Sequence, residues 1–186
     1  MQAMNSQSHP IRVDFIHSNE FPILNRLGMT FAPGKKQSDA RTGVWDRDLR
    51  TDLGRLFDEF GTGTLISLLE DGELEELKIG NLAGECDRAM INLVRFPVRD
   101  ASVPDSMEAF VLMVAGAVGS LINGETVVTH CKGGLGRAGL TAACIAVAAT
   151  DAEVTASDAI DLVRQARPGT VQTQEQERFV AEFEKE

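Results

Sequence analysis

The chain is short of the residues that build several kinds of protein. It has three cysteines in 186 residues, Cys86, Cys131 and Cys144, and no C-x-x-C pair. Neither a disulfide framework nor a cysteine metal knuckle is therefore written into it. Unpaired cysteines fit a reducing compartment. The three histidines, His9, His17 and His130, lack metal-ligand spacing, so no metal and no organic cofactor is expected. Apolar runs are short. The longest, Phe110 to Ile122, is broken by glycines and falls below the ~20 residues that cross a bilayer. Residues 1–10 are polar, lack the apolar heart of a secretory signal, and are expected to form a disordered tail. Positive charge is in deficit: 18 Lys and Arg stand against 28 Asp and Glu, a net charge of −10. That argues against nucleic-acid binding, which needs a basic stripe. The expectation is a cytoplasmic protein with no membrane contact.

What remains is ordinary for a globular chain, with 43% hydrophobic and 25% charged residues. The length fits a single α/β domain over residues 11–186. Residues 11–16 alternate and read as an edge strand, and 27–31 as another, ended by Pro33-Gly34. A helix is expected over 46–60, with Leu49, Leu53, Leu56, Phe57 and Phe60 on one face and Gly61 as its stop. Strands are expected at 64–69, 91–96 and 126–129. Helices are expected over 74–90, from Pro104 to about 122, over 138–150 and 155–166, and after Thr173. Such alternation implies a mainly parallel central sheet flanked by helices.

The chemistry concentrates in His130-Cys-Lys-Gly-Gly-Leu-Gly-Arg137, between an apolar strand and an apolar helix. The loop must curl. Gly133, Gly134 and Gly136 permit positive φ and let backbone amides approach a ligand. Amides in such a curl form an anion nest, and the following helix adds unpaired N–H groups and its positive pole. The same field favours the thiolate of Cys131. Arg137 offers a planar fork to two oxygens of a phosphate. The arrangement suits a cysteine nucleophile that passes through a covalent thiophosphate. A buried cysteine beside a glycine turn is by itself only a core residue; the arginine and the strand–loop–helix setting argue for more.

Cys131 to Arg137 resembles the C-x5-R signature of the cysteine-based tyrosine and dual-specificity protein phosphatases, nearest the kinase-associated branch of that class. Phe96-Pro-Val-Arg-Asp100 with Val103-Pro-Asp105 resembles the family's general-acid loop. Val171-Gln-Thr-Gln-Glu-Gln176 resembles its glutamine motif. The resemblance implies Asp100 as general acid, with Asp105 the rival, and Gln172 and Gln176 as residues that align water. Lys132, Gly133, Gly134, Leu135, Gly136 and Arg137 would cradle the phosphate. It also implies a phosphoprotein or phosphopeptide substrate, a kinase among the candidates, with turnover on phosphotyrosine, phosphoserine or phosphothreonine. Ala138 departs from the pattern, because the family carries there a hydroxyl that stabilises the thiolate. A catalytically weak phosphopeptide-binding module is therefore the alternative, with phosphoinositide hydrolysis and sulfur transfer behind it. The acidic run Glu70 to Glu76 reads as a solvated face or a docking patch.

Overall fold

A computed structural model describes residues 3–40 and 43–186. Its centre is a sheet in the order β1 (Asp14–Phe15), β2 (Leu27–Phe31), β7 (Thr126–Cys131), β5 (Thr62–Ser67), β6 (Asn92–Arg95). β1 is the antiparallel edge, and β2, β7, β5 and β6 run parallel. A two-stranded ribbon, β3 (Lys36–Gln37) with β4 (Trp45–Asp46), stands beside it. The expected α/β architecture with a mainly parallel sheet is therefore what the chain adopts.

Helices cover both faces. α1 (Leu49–Asp58), α2 (Asp71–Glu76) and α3 (Leu82–Arg88) pack on one face, through Leu53, Leu56, Leu74 and Leu82 against Leu65 and Val128. α4 (Met107–Ile122), α5 (Gly136–Ala149), α6 (Ala156–Ala166) and α7 (Gln174–Phe183) pack on the other. α5 is buried from Gly136 to Val147, as its nearly all-apolar sequence requires. Phe110 of α4 meets Phe96, Phe179 and Phe183 edge-on, with ring centroids 5.6, 5.3 and 5.8 Å apart. No helix among the described residues is long and apolar enough to cross a membrane.

Several local expectations are corrected. The edge strand expected at 11–16 shrinks to Asp14–Phe15, because the Thr30 hydroxyl donates to the Arg12 carbonyl at 2.6 Å and takes an acceptor the ladder would use. α1 starts at Leu49, not 46, because Asp48 caps it through the Thr51 N–H at 2.7 Å. α4 starts at Met107 because Ser106, two residues after Pro104, accepts from the Ala109 N–H at 3.2 Å. Residues 3–10 do not form a disordered tail. Met4 bridges Trp45, Ser6 Oγ accepts from Asp48 N–H at 2.9 Å, and Arg47 Nη1 donates to the His9 carbonyl at 2.6 Å. These contacts are made by backbone and polar side chains, which apolar patterning does not register. Residues 1 and 2 of that expected tail lie outside the described residues.

Candidate active site

In a parallel sheet the loops leaving the carboxyl ends of the strands share one side, where ligands bind. Here each parallel strand delivers a side chain there. β7 ends at Cys131, and β2 runs through Phe31 toward Lys35. β5 leads to Glu73, and β6 to Asp100. These ends surround a cavity of about 530 Å³ whose lining includes Cys131, Lys132, Gly136, Arg137, Asp100 and Gln172.

The loop after Cys131 curls as expected, but its glycines differ in purpose. Gly134 has φ +72°, and a Cβ there would stand 2.3 Å from the Thr30 carbonyl oxygen. No other residue fits. Its N–H donates to Cys131 Sγ at 3.2 Å, so the loop turns an amide onto the thiol. A Cβ on Gly136 would come within 2.9 Å of Gln172 Oε1 and 3.0 Å of Gln176 Nε2. Of the three, only Gly134 uses a positive φ, and Gly133 has open space where a Cβ would stand. Cys131 sits at the N-terminal end of α5, where the helix field favours an anion.

Arg137 is only 2% exposed and fixed on several sides. Glu73 receives Nη1 at 2.6 Å and Nη2 at 2.8 Å, a two-point grip. Nη1 also reaches the Val98 carbonyl at 2.9 Å, and Nη2 reaches Asp100 Oδ1 at 2.8 Å. Nε is buried without a partner among the described residues. Burial pulls the Arg137 pKa down, but the Glu73 bonds more than offset this and it is raised. For Glu73, burial pushes up while the Arg137 bond and the Glu70 amide pull down, and the net shift is downward.

Sequence reasoning missed Glu73. The acidic run is neither a plain solvated face nor a free patch: Glu73 holds Arg137, and Glu76 Oε1 takes Lys132 Nζ at 2.6 Å. The only available signal was its position, just beyond an apolar strand in a parallel pattern.

The remaining candidates separate clearly. Asp100 faces Arg137, whereas Asp105 points outward, 3.6 Å from Arg99. Gln172 is exposed and lines the cavity. Gln176 is fully buried and already bonded at both ends of its amide. Oε1 accepts from Gln172 N–H at 2.9 Å, and Nε2 donates to the Ser102 carbonyl at 3.1 Å. Thr173 Oγ1 accepts from Gln176 N–H at 3.1 Å and caps α7, while the Gln176 side chain reaches Gln172 rather than back to the Thr173 N–H. His130 is fully buried beneath the loop, and burial lowers its pKa to about 4. Ala138 is buried, and its carbonyl accepts from Thr129 Oγ1 at 3.1 Å. Cys86 and Cys144 are free and buried, and burial raises the Cys86 thiol to about 12.

Known proteins resemble this chain in sequence and fold. Cyclin-dependent kinase inhibitor 3 of Rattus norvegicus is 28% identical over 180 residues, covering 96% of this chain and 81% of the relative. The crystal structure of a kinase-associated phosphatase, with its catalytic-site cysteine replaced by serine, superposes with a TM-score of 0.83. It is 26% identical over 94% of each chain. Tk-PTP in its active form shares the fold at a TM-score of 0.70 and 22% identity, over 93% of this chain and 96% of that one. The family model of the Swiss Army Knife phosphatase domain, PTP-SAK, matches residues 45–180, and the chain belongs to this DSP-PTPase phosphatase family.

Proposed function

We propose that this protein phosphatase, a phosphoric monoester hydrolase, works through Cys131 as nucleophile, Arg137 as phosphate clamp and Asp100 as general acid. The phosphatase domain is assigned to residues 11–186. The observation that carries the reading is the pairing of Cys131 Sγ with an inward-turned loop amide, beside an Arg137 held rigid by Glu73. Loop amides and the α5 N-terminus would bind the phosphoryl oxygens, together with Arg137 Nε and Nη2. Among the described residues Nε has no partner, and Nη2 is shared only with Glu73 and the 73%-exposed Asp100 side chain. Substrate phosphate would take over the Nη2 donor and free the Asp100 carboxyl to face the leaving oxygen.

In the first half-reaction the Cys131 thiolate attacks phosphorus and the P–O bond to the leaving group breaks. Asp100 gives its proton to the departing oxygen. In the second, water attacks the cysteinyl phosphate, Asp100 takes its proton, the S–P bond breaks and inorganic phosphate leaves. Gln172, exposed at the cavity, is assigned to orient that water. Gln176 is assigned to positioning, since its amide already ties the Gln172 segment to Ser102 of the acid loop. Lys132, though paired with Glu76, adds to the local positive field.

The substrate is proposed to be a phosphoprotein, with a kinase favoured by the relatives' names. The net charge of −10 favours target sites with basic surroundings. Three free cysteines fit work in the cytoplasm. Vanadate-sensitive phosphate release from an aryl phosphate, present in the wild type and absent from Cys131→Ser, is the test. Phosphopeptide binding without any release by the wild type would instead make the chain a binding module, the reading that Ala138 motivates.

A further inference from the structure

The longest apolar run of the chain, Phe110 to Ile122, offers more apolar surface than the core takes up. α4 turns Phe110, Val114, Ala117 and Leu121 inward, a single stripe at helical spacing. A surface helix ordinarily carries charge on its opposite face. Here Glu108 is the only charged residue among the 16 of α4. The outer face carries Leu112 and Ile122 instead, each 70% exposed. Among the described residues only one other large hydrophobic side chain, Met90, is as open. Ala115 and Gly116 are exposed between them, and a Cβ on Gly116 or Gly119 would meet nothing within 4 Å. The apolar surface spreads to both sides of the helix. Leu112 borders a cleft of about 200 Å³ beside the edge strand β6, with Val94 and Met113 in its walls. Ile122 borders a shallow surface with Ile23 and Arg26 of the segment before β2.

The arrangement of large and small residues on this face matches itself. Let two α4 helices cross antiparallel, with the two-fold axis between Ala115 and Gly116. Leu112 then lies over the partner's Gly119, and Ala109 over the partner's Ile122. Each bulky side chain meets a small one, and Ala115 meets the partner's Gly116, where the backbones approach closely. Charge is matched in the same way. Glu108 is exposed at the N-terminal end of α4, and Arg26 is exposed at its C-terminal end, beside Ile122 and Gly124. Neither is in an ion pair among the described residues. The antiparallel crossing brings each Glu108 to the end of the partner's helix where Arg26 stands, twice by symmetry. Two chains of net charge −10 repel one another, so a face that presents no unmatched charge is where they could meet.

We propose that the protein forms a two-fold symmetric dimer through the outer face of α4. None of the residues lining the catalytic cavity lies on α4, so both copies keep their sites open. The helix is about 24 Å long and about 10 Å across, and its flanks beside β6 and Ile23 about double that area. Roughly 500 Å² from each copy, or ~1,000 Å² in all, is close to the least that a specific interface buries, so the dimer is a weak one.

Sedimentation velocity of the full chain tests this from about 1 to 300 µM. The average mass should rise from one chain to two, with a Kd of ~10–100 µM. Leu112→Glu should weaken association by about tenfold or more, because each copy loses a buried leucine and places a charge against an apolar surface. Gly119→Leu fills the space that the other copy's Leu112 needs and should weaken it to a similar degree. Adding Leu112→Ala to Gly119→Leu should restore association, because the large and small residues have then changed places. Both positions face open space in the single chain, so the variants keep its fold, which far-UV circular dichroism checks. One-chain mass throughout the range overturns the proposal. So does a dimer that Leu112→Glu leaves intact, or a Gly119→Leu defect that Leu112→Ala fails to repair. Growth beyond two chains also overturns it, since a two-fold contact closes on itself.

Discussion

Replacing Glu73 by alanine removes the side chain that holds Arg137 at two points, at 2.6 and 2.8 Å. Truncating one member of a buried ion pair costs ~3–5 kcal/mol, mostly because the survivor is left charged and unpaired. Arg137 would keep its carbonyl bond to Val98 and its bond to Asp100, which points to the lower end, about 3 kcal/mol. With a urea m-value of roughly 2–3 kcal/mol per molar, the unfolding midpoint should fall by about 1–1.5 M. Glu76→Ala is the control, since Glu76 pairs with Lys132 from an exposed position and its loss should cost ~0–1 kcal/mol. Trp45 fluorescence and far-UV circular dichroism would follow unfolding, and hydrolysis of an aryl phosphate would follow function. kcat/KM should fall with stability, because the Arg137 fork is no longer aimed. The pair also sets a pH dependence. Glu73 titrates below its ordinary value, so its contribution is complete above the unfolded-state pKa of about 4.3 and is lost as pH falls through the lower native one. A Glu73→Ala midpoint equal to that of Glu76→Ala, with kcat/KM unchanged, would refute the reasoning.

Other outcomes follow from the same geometry. Asp100→Asn should slow a phosphopeptide with a poor leaving group by ~10²–10⁴-fold and an activated aryl phosphate much less, measured as separate kcat/KM values. Gln176→Ala should cost ~1–3 kcal/mol in urea unfolding by orphaning Gln172 N–H and the Ser102 carbonyl, whereas Gln172→Ala should leave the midpoint in place and slow only breakdown of the intermediate. His130 is held neutral, with a native pKa near 4 against about 6.5 unfolded, so stability should drop as pH falls from 6.5 toward 4 by up to ~1.4 kcal/mol per unit. An uncharged replacement, His130→Gln, should flatten that window in denaturation curves taken at each pH. Ala138→Ser should speed release of the second product, visible as a smaller pre-steady-state burst, and an unchanged burst would remove the hydroxyl argument.

The segment from β7 into α5 was legible because its signals agree: an apolar strand, a glycine loop and an almost wholly apolar helix leave one local solution. The parallel sheet was legible from the alternation of elements. Boundaries failed where a short polar side chain competes for a backbone group, as Thr30 does at Arg12 and Ser106 does at Ala109. Glu73 and Lys35 were illegible for a different reason. Each sits in a stretch that composition explains well enough, an acidic run and a residue just after a Pro-Gly turn. Only the strand order places the ends of β5 and β2 on either side of β7.

That order also resolves an apparent conflict in charge. A chain of net charge −10 seems a poor host for phosphate, yet its acidic residues are placed so that they build the basic site. Glu73 fixes Arg137, Glu76 fixes Lys132 and Asp14 holds Arg167, with the loop amides left unopposed. These pairs make the cations rigid at little cost to the anion-binding field, since the helix pole and loop amides carry no counter-charge. A site organised this way recognises phosphate by fixed donors more than by net charge, so its affinity for phosphate should depend only weakly on salt.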